Sequence, residues 1–291
     1  MGIKLNSLDP SLKSLVMGMQ IGDVWFVNGT SGDDNATGVD QDHAIKGLAQ
    51  GLLKAVSGHN DYLLCYGTLA PAAALAIPDS HVHMIGIGGG GMLNEAARGA
   101  IVTCPATVDT IQPAATADYL EIAGFLFNSN ATDGILIDDA GASGAFFHHN
   151  TVMGSTTASI AIRLDIEGDA WTINDNIFTL CKLPIDLAGP NCVVKRNRLV
   201  CVPVSSLGIV IGASAHYCII EGNDIILING TTDVGITIAA SADYTVVKNN
   251  NFSSEGSDNI SDAGTSTQFF NNLEAGLTGT SGGSLGLVVE D

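Results

Sequence analysis

The sequence predicts an all-β chain wound as a single-stranded parallel β-helix, and three observations carry that prediction. A short apolar strand, an asparagine and a further apolar residue recur six times between residues 145 and 273; an aliphatic alternation repeats in the same period; and no repeat has room for a helix. Self-similarity at such a period marks a solenoid, because one repeat cannot bury its own apolar face and must stack on its neighbours.

The first ladder comprises AFFHHNTV, WTINDNIF, CVVKRNRL, CIIEGNDI, TVVKNNNF and TQFFNNL, which align on Asn150, Asn176, Asn197, Asn223, Asn250 and Asn272. Two properties of asparagine suit a tight corner between strands. It tolerates left-handed backbone angles, and its amide can bond to the Asn one coil away, as in stacked cross-β ladders. Gly86 and Gly124 are expected to fill the same corner earlier, so that the stack begins near residue 80. The second ladder comprises GILI, AIRL, PIDL, GIVI and GITI. It places Ile135, Ile162, Ile185, Ile209 and Ile236 in one column, and Ile137, Leu164, Leu187, Ile211 and Ile238 in the next. Alternation of this kind is the strand period, so each repeat holds at least two short strands.

The first 80 residues read differently. DVWFVNG is a strand, TSGDDNATGVD a polar loop, and Gln41 to Val56 a helix with Ile45, Leu48, Leu52 and Leu53 on one face. DYLLCYGTL returns as a strand. The expected organisation is therefore a cap over residues 1–80 with one α-helix, a β-helix over 81–273, and a Gly- and Ser-rich tail or inter-subunit strand over 274–291. A cap answers a physical need, since an open solenoid end exposes unpaired strand edges and apolar core. This order of strand, GTSGDDNATG loop, helix, YGTL and IPDSHVHMIGIG resembles the entry of the pectate-lyase-like right-handed parallel β-helix superfamily. The resemblance spans nearly the whole chain and implies the handedness of the coil. Its members include polysaccharide lyases and hydrolases as well as phage tail spikes and other virion proteins, so it specifies shape better than chemistry.

Hydrophobic residues make up 46% of the 291 residues, and the mean hydropathy is +0.30. No apolar run reaches the length a membrane span needs, so the apolar excess must go into a core or against partners. With 30 acidic and 11 basic residues the formal charge is −19, which argues against nucleic acid, since phosphate binding rests on Lys and Arg. The same field repels acidic polysaccharides on average. The N-terminus shows no long apolar secretory segment. Cys192 and Cys218 occupy the same place in successive coils and Cys181 and Cys201 nearly so, and all six cysteines, with Cys65 and Cys104, are expected as buried free thiols.

Candidate chemistry is sparse. The GIGGGG string at residues 86–91 matches a dinucleotide fingerprint in letters only, because no βαβ unit surrounds it. His148, Asn174, Lys195, Glu221 and Lys248 form one outward column, and His149, Asp175, Arg196, Gly222 and Asn249 the next. His149, Asp175 and Arg196 could supply an acid–base cluster, against the reading of a solvated face whose charges pair across coils. Asp138, Asp139, Asp165, Asp169, Asp175 and Asp186 offer carboxylates for a hydrolase, yet the motifs of polygalacturonases and pectate lyases are absent. Asp33, Asp34 and Asp40, with Asn28, Asn35 and Asp42, form an oxygen-rich loop that could take calcium, though without EF-hand spacing. No cofactor is expected.

The favoured expectation is a non-enzymatic virion protein of a phage, capsid-decorating or spike-like, made in the host cytoplasm and assembled as a homotrimer with capsid or other virion proteins. A polysaccharide lyase or hydrolase, or an extracellular adhesin that binds a surface carbohydrate or receptor, are the alternatives.

Overall fold

The computed structural model describes residues 22–87, 99–105, 109–129, 136–154, 160–203, 205–228, 232–254 and 258–275. The parts of the expected cap and tail at 1–21 and 276–291, Ile135, and the glycines at 88–91 lie outside them.

The coils between Asp61 and Asp262 run through three parallel sheets, and this is a right-handed parallel β-helix, the hand that parallel crossovers almost always take. Among the described residues the first sheet stacks ten strands, from Val24–Asn28 through Asp61–Leu69, Val82–Gly86 and Glu121–Ala123 to Gln268–Phe270. The second runs from the last residues of Asp61–Leu69 to Leu273–Ala275. The third is 8-stranded, from Leu75–Ile77 to Asp258–Asp262. In one coil, Thr172–Asn174 belongs to the first sheet, Ile177–Thr179 to the second and Leu183–Leu187 to the third.

Pairing therefore begins well before residue 80. Val24–Asn28 pairs in parallel with Asp61–Leu69, which pairs with Val82–Gly86, so strands expected in a separate cap are rungs of the same sheet. The expected long helix is instead a 3-10 turn at Gln41–His43 and a five-residue helix at Leu48–Leu52. Ile45 is lost from the helix because its backbone N–H and C=O pair with Phe26 and Asn28. Leu48 and Leu52 are buried, whereas Leu53 is 76% exposed and off the apolar face. Gly51 permits the close seat of this helix, since a Cβ there would lie 2.8 Å from Val27 Cγ2.

Inward positions stack like on like. Phe147 lies between Phe127 and Phe178 with ring centroids 6.0 and 6.3 Å away. Trp171 is fully buried and its indole N–H donates to Ala142 O at 2.8 Å, while Trp25 packs partly buried against the core. All six cysteines are buried free thiols.

The aliphatic columns exist with one change of register. Ile162 lies opposite Ile137, not Ile135, and Arg163 opposite Asp138. The first column is thus Ile111, Ile137, Ile162, Ile185, Ile209, Ile236 and Ile260. The position aligned with Leu164, Leu187, Ile211 and Ile238 is then held by Asp139, which is 4% exposed.

Asparagine serves the corner through its side chain, not its backbone. The left-handed residues are those just before it: Gly124, His149, Asp175, Arg196, Gly222, Asn249 and Asn271, with φ between 48° and 79°. Gly124 therefore aligns with His149, and Phe125 takes the asparagine's place in that coil. Each asparagine Oδ1 accepts from the backbone N–H one coil earlier. Asn176 Oδ1 takes Asn150 N at 2.9 Å, and Asn197 Oδ1 takes Asn176 N at 3.0 Å. Each amide in turn donates back to a carbonyl of the preceding coil, as Asn176 Nδ2 does to Phe147 O, and from Asn150 to Asn250 also onward to the next asparagine, as Asn176 Nδ2 does to Asn197 Oδ1, both at 2.9 Å. The chain of bonds runs from Phe125 N to Asn272. A second left-handed column precedes the first sheet, at Asn60, His81, Tyr119, Gly144, Ala170, Asn191, Tyr217, Tyr244 and Ser266.

Candidate functional site

Coil stacking brings distant residues together on the outer face of the first sheet. His83 and Glu121 are register partners, and His148 lies two residues beyond Phe146, which also faces Glu121. His83 Nδ1 donates to Glu121 Oε2 at 2.6 Å, and His148 Nε2 donates to Oε1 at 2.8 Å. These two hydrogen bonds hold the Glu121 carboxyl down at about 2, well below the usual range. Tyr62 stacks on His83 with centroids 4.2 Å apart and planes 11° from parallel. His83, Glu121 and His148, with Asn60, His81 and Tyr119, line a pocket of about 310 Å³. Tyr119 and Phe146 present rings there that are 55% and 46% exposed.

The expected cluster of His149, Asp175 and Arg196 occupies the left-handed corner beside this pocket and divides into two pairs. Arg196 grips Asp175 in a two-point contact, Nε to Oδ1 at 2.7 Å and Nη2 to Oδ2 at 2.6 Å. That contact holds the Asp175 carboxyl at about 2, so it is a poor proton acceptor at neutral pH. His149 turns instead to its neighbour, its Nδ1 lying 2.8 Å from His148 Nδ1. Further along the same face, Lys248 pairs with Glu221 at 3.3 Å.

The outer face of the third sheet carries a second concavity, of about 580 Å³, lined by Gln112, Asp138, Asp139, Arg163, Asp165 and Asp186 among others. Arg163 lies between Asp138 and Asp186 in register. It donates from Nε and Nη2 to the two Asp138 oxygens, both at 2.8 Å. Burial pushes the Asp186 carboxyl up and pushes Asp139 up to about 6. Four of the acidic residues singled out from sequence thus meet here, while Asp175 lies on the first-sheet corner.

The oxygen-rich loop spends its carboxylates on separate backbone turns. Asp33 accepts from Asn35 N at 2.9 Å, Asp34 from Gly47 N at 2.6 Å, and Asp40 from His43 N at 3.0 Å. Asp23, His59 and Asp61 also converge. Buried Asp61 is engaged there by the Asp23 and Val56 backbone N–H groups and by His59 Nδ1.

Sequence reading missed His83 and Glu121, which no motif marks. The bonds joining them to each other and to His148 span 38 and 27 residues. The only available signal was alignment of HVHM and YLEI on the same period.

No protein-family model matches the chain. No curated protein sequence matches it. Among solved structures, a pectin methylesterase variant in complex with a hexasaccharide is similar at 10% identity and TM-score 0.45, over 87% of this chain and 90% of that one. An ORF18 protein of Geobacillus virus E2 is similar at 9% identity and TM-score 0.42, over 93% of this chain and 65% of that one. The catalytic domain of a GH87 α-1,3-glucanase in complex with tetrasaccharides is similar at 10% identity and TM-score 0.38, over 78% of this chain and 56% of that one.

Proposed function

We propose that the chain is a non-enzymatic structural β-helix of a virion surface, capsid-decorating or spike-like, that stands as a homotrimer. The observation that carries this reading is how the first-sheet face uses its ionisable groups. Glu121 is held by His83 and His148, Asp175 by Arg196, and Glu221 by Lys248. Each of these contacts clamps one coil to another, so the groups serve stiffness. Beside them Val193, Ile219 and Val246 form a half-buried outward column with Tyr217 and Tyr244 exposed at its edge. Neighbouring subunits would cover such a strip, and an acidic outer surface suits a particle packed with nucleic acid. Sedimentation of the purified chain at micromolar concentration should give a trimer, and Ile219→Glu should give a folded monomer. A monomeric parent chain would remove the trimer from this reading.

A second reading rests on the third-sheet groove, where Asp138 and Asp186 flank Arg163 in register. Burial raises the Asp186 carboxyl, and paired carboxyls across a cleft are what cleavage of a glycan uses. Release of reducing ends or unsaturated uronates from a polysaccharide panel, lost in Asp186→Asn, would replace the structural reading with the enzymatic one. No release across the panel would support the structural one.

A further inference from the structure

Among the described residues the last coil is one strand short. Its first-sheet strand, Gln268–Phe270, stacks on Val246–Lys248, and its second-sheet strand, Leu273–Ala275, stacks on Asn251–Ser254. The third sheet stops a coil earlier. There Asp258–Asp262 pairs with Val234–Ile238 and, among the described residues, stands at the sheet's edge. The core registers the difference. The six isoleucines of the inward column from Ile111 to Ile236 are each 0% exposed, whereas Ile260, next in line, is only half-buried. An open strand edge beside apolar surface is a template for a further strand.

The sequence beyond Ala275 contains a strand of the matching kind. Third-sheet strands share a five-residue pattern: an aliphatic residue, a small residue or proline, a core-facing isoleucine, an outward residue and a second core-facing aliphatic. IAIRL at 160–164, LPIDL at 183–187, LGIVI at 207–211 and VGITI at 234–238 all follow it. Residues 285–289 read LGLVV, which repeats LGIVI with two aliphatic exchanges. AGLTG at 275–279 echoes the pattern less well, ending on glycine and beginning inside Leu273–Ala275. From Met153 onward the connections from the second sheet to the third use three to six residues.

Nine residues, GLTGTSGGS, separate Ala275 from Leu285. Extended, they reach about 30 Å, and closing a loop of this length costs little more than closing one of six. A strand on so short a tether has an effective concentration near millimolar, which favours the chain's own segment over that of another copy.

We propose that residues 285–289 add a ninth strand to the third sheet, parallel to Asp258–Asp262 of the same chain, with Leu287 covering Ile260 and Val288 beside Ser261 on the outer side. The strand completes the last coil and closes the third-sheet edge to other chains. This pairing is independent of the virion reading and of the third-sheet groove.

Hydrogen exchange and cross-linking of the full chain test it. Asp139 N, at the position of Asp262, donates to Arg163 O of the following coil, so the Ile260 and Asp262 amides are the ones the added strand would protect. Leu287→Asp should speed their exchange at least about tenfold, and Leu277→Asp in the connection should leave it unchanged. Unprotected amides in the parent chain, or parent-like protection in Leu287→Asp, would overturn the pairing. Ser261→Cys combined with Val288→Cys puts two outward thiols on adjacent rungs, about 4.8 Å apart along the stack and within reach of a disulfide. Oxidation should link them within one chain, seen as a monomer of altered mobility without reductant, and faster than in Ser261→Cys combined with Leu277→Cys. A covalent dimer would overturn the pairing within one chain and assign the segment to a second copy. Equal rates in the two double variants would overturn the register.

Discussion

Asp139 stands where the following coils carry Leu164, Leu187, Ile211 and Ile238. Its Oδ1 accepts from Ala142 N at 2.9 Å, but its Oδ2 is buried with no hydrogen-bond partner. Burial therefore raises the carboxyl from its ordinary 3.8 to about 6. A group raised on folding favours the folded state in its neutral form. That contribution is fully present below pH 3.8 and is lost as pH rises through about 6. Asp139→Asn keeps the Oδ1 acceptor without the charge. It should gain about 1–2 kcal/mol at pH 8 and nothing at pH 4, read from urea unfolding at both values. An equal gain at both would show that the charge is not what the site resists. The residue was visible in the sequence as a carboxylate, but its burial was not. A slip of two residues, Ile135 for Ile137, leaves every side chain on its proper face, so alternation alone cannot detect it.

At the scale of the element, the corner shows what the repeat encodes. The asparagine positions follow from the period alone, and in the folded chain they carry continuous amide bonding. Asn197 takes two donors from Asn176 and donates to Ile173 O and Asn223 Oδ1, while being 1% exposed. Asn197→Ala would leave the buried Asn176 N–H and Ile173 C=O unpaired, and should cost about 2–4 kcal/mol in chemical denaturation. Asn272→Ala should cost less, because Asn272 is only half-buried. Equal losses at the two sites would mean that burial does not set the cost. The left-handed backbone falls one residue earlier, where His149, Asp175 and Arg196 accept a conformation that favours Gly or Asn. Sequence logic assigned that conformation to the asparagine because the two positions are adjacent. The actual division follows from the ladder, whose backbone N–H groups must point along the stack.

Across the whole molecule, 30 acidic residues face 11 basic ones, and the described ion pairs are few and mostly part-exposed. Mutual repulsion should thus outweigh attraction. Raising NaCl from low to physiological strength and above should stabilise the fold by about 1 kcal/mol, or about 2 °C in melting temperature for a chain of this size. A fall in melting temperature would show that the coil-to-coil ion pairs dominate instead.

The parallel solenoid, the positions of its asparagine ladder and its aliphatic columns from Ile162 onward were determined by the sequence alone, because each depends on a local pattern repeated once per coil. The extent of the stack, the burial of Asp139 and the union of His83, Glu121 and His148 were decided only by the tertiary structure. Coils of unequal length hide which residues become neighbours across the stack. That choice is made by hydrogen-bond register between strands, to which residues far apart in the chain contribute equally.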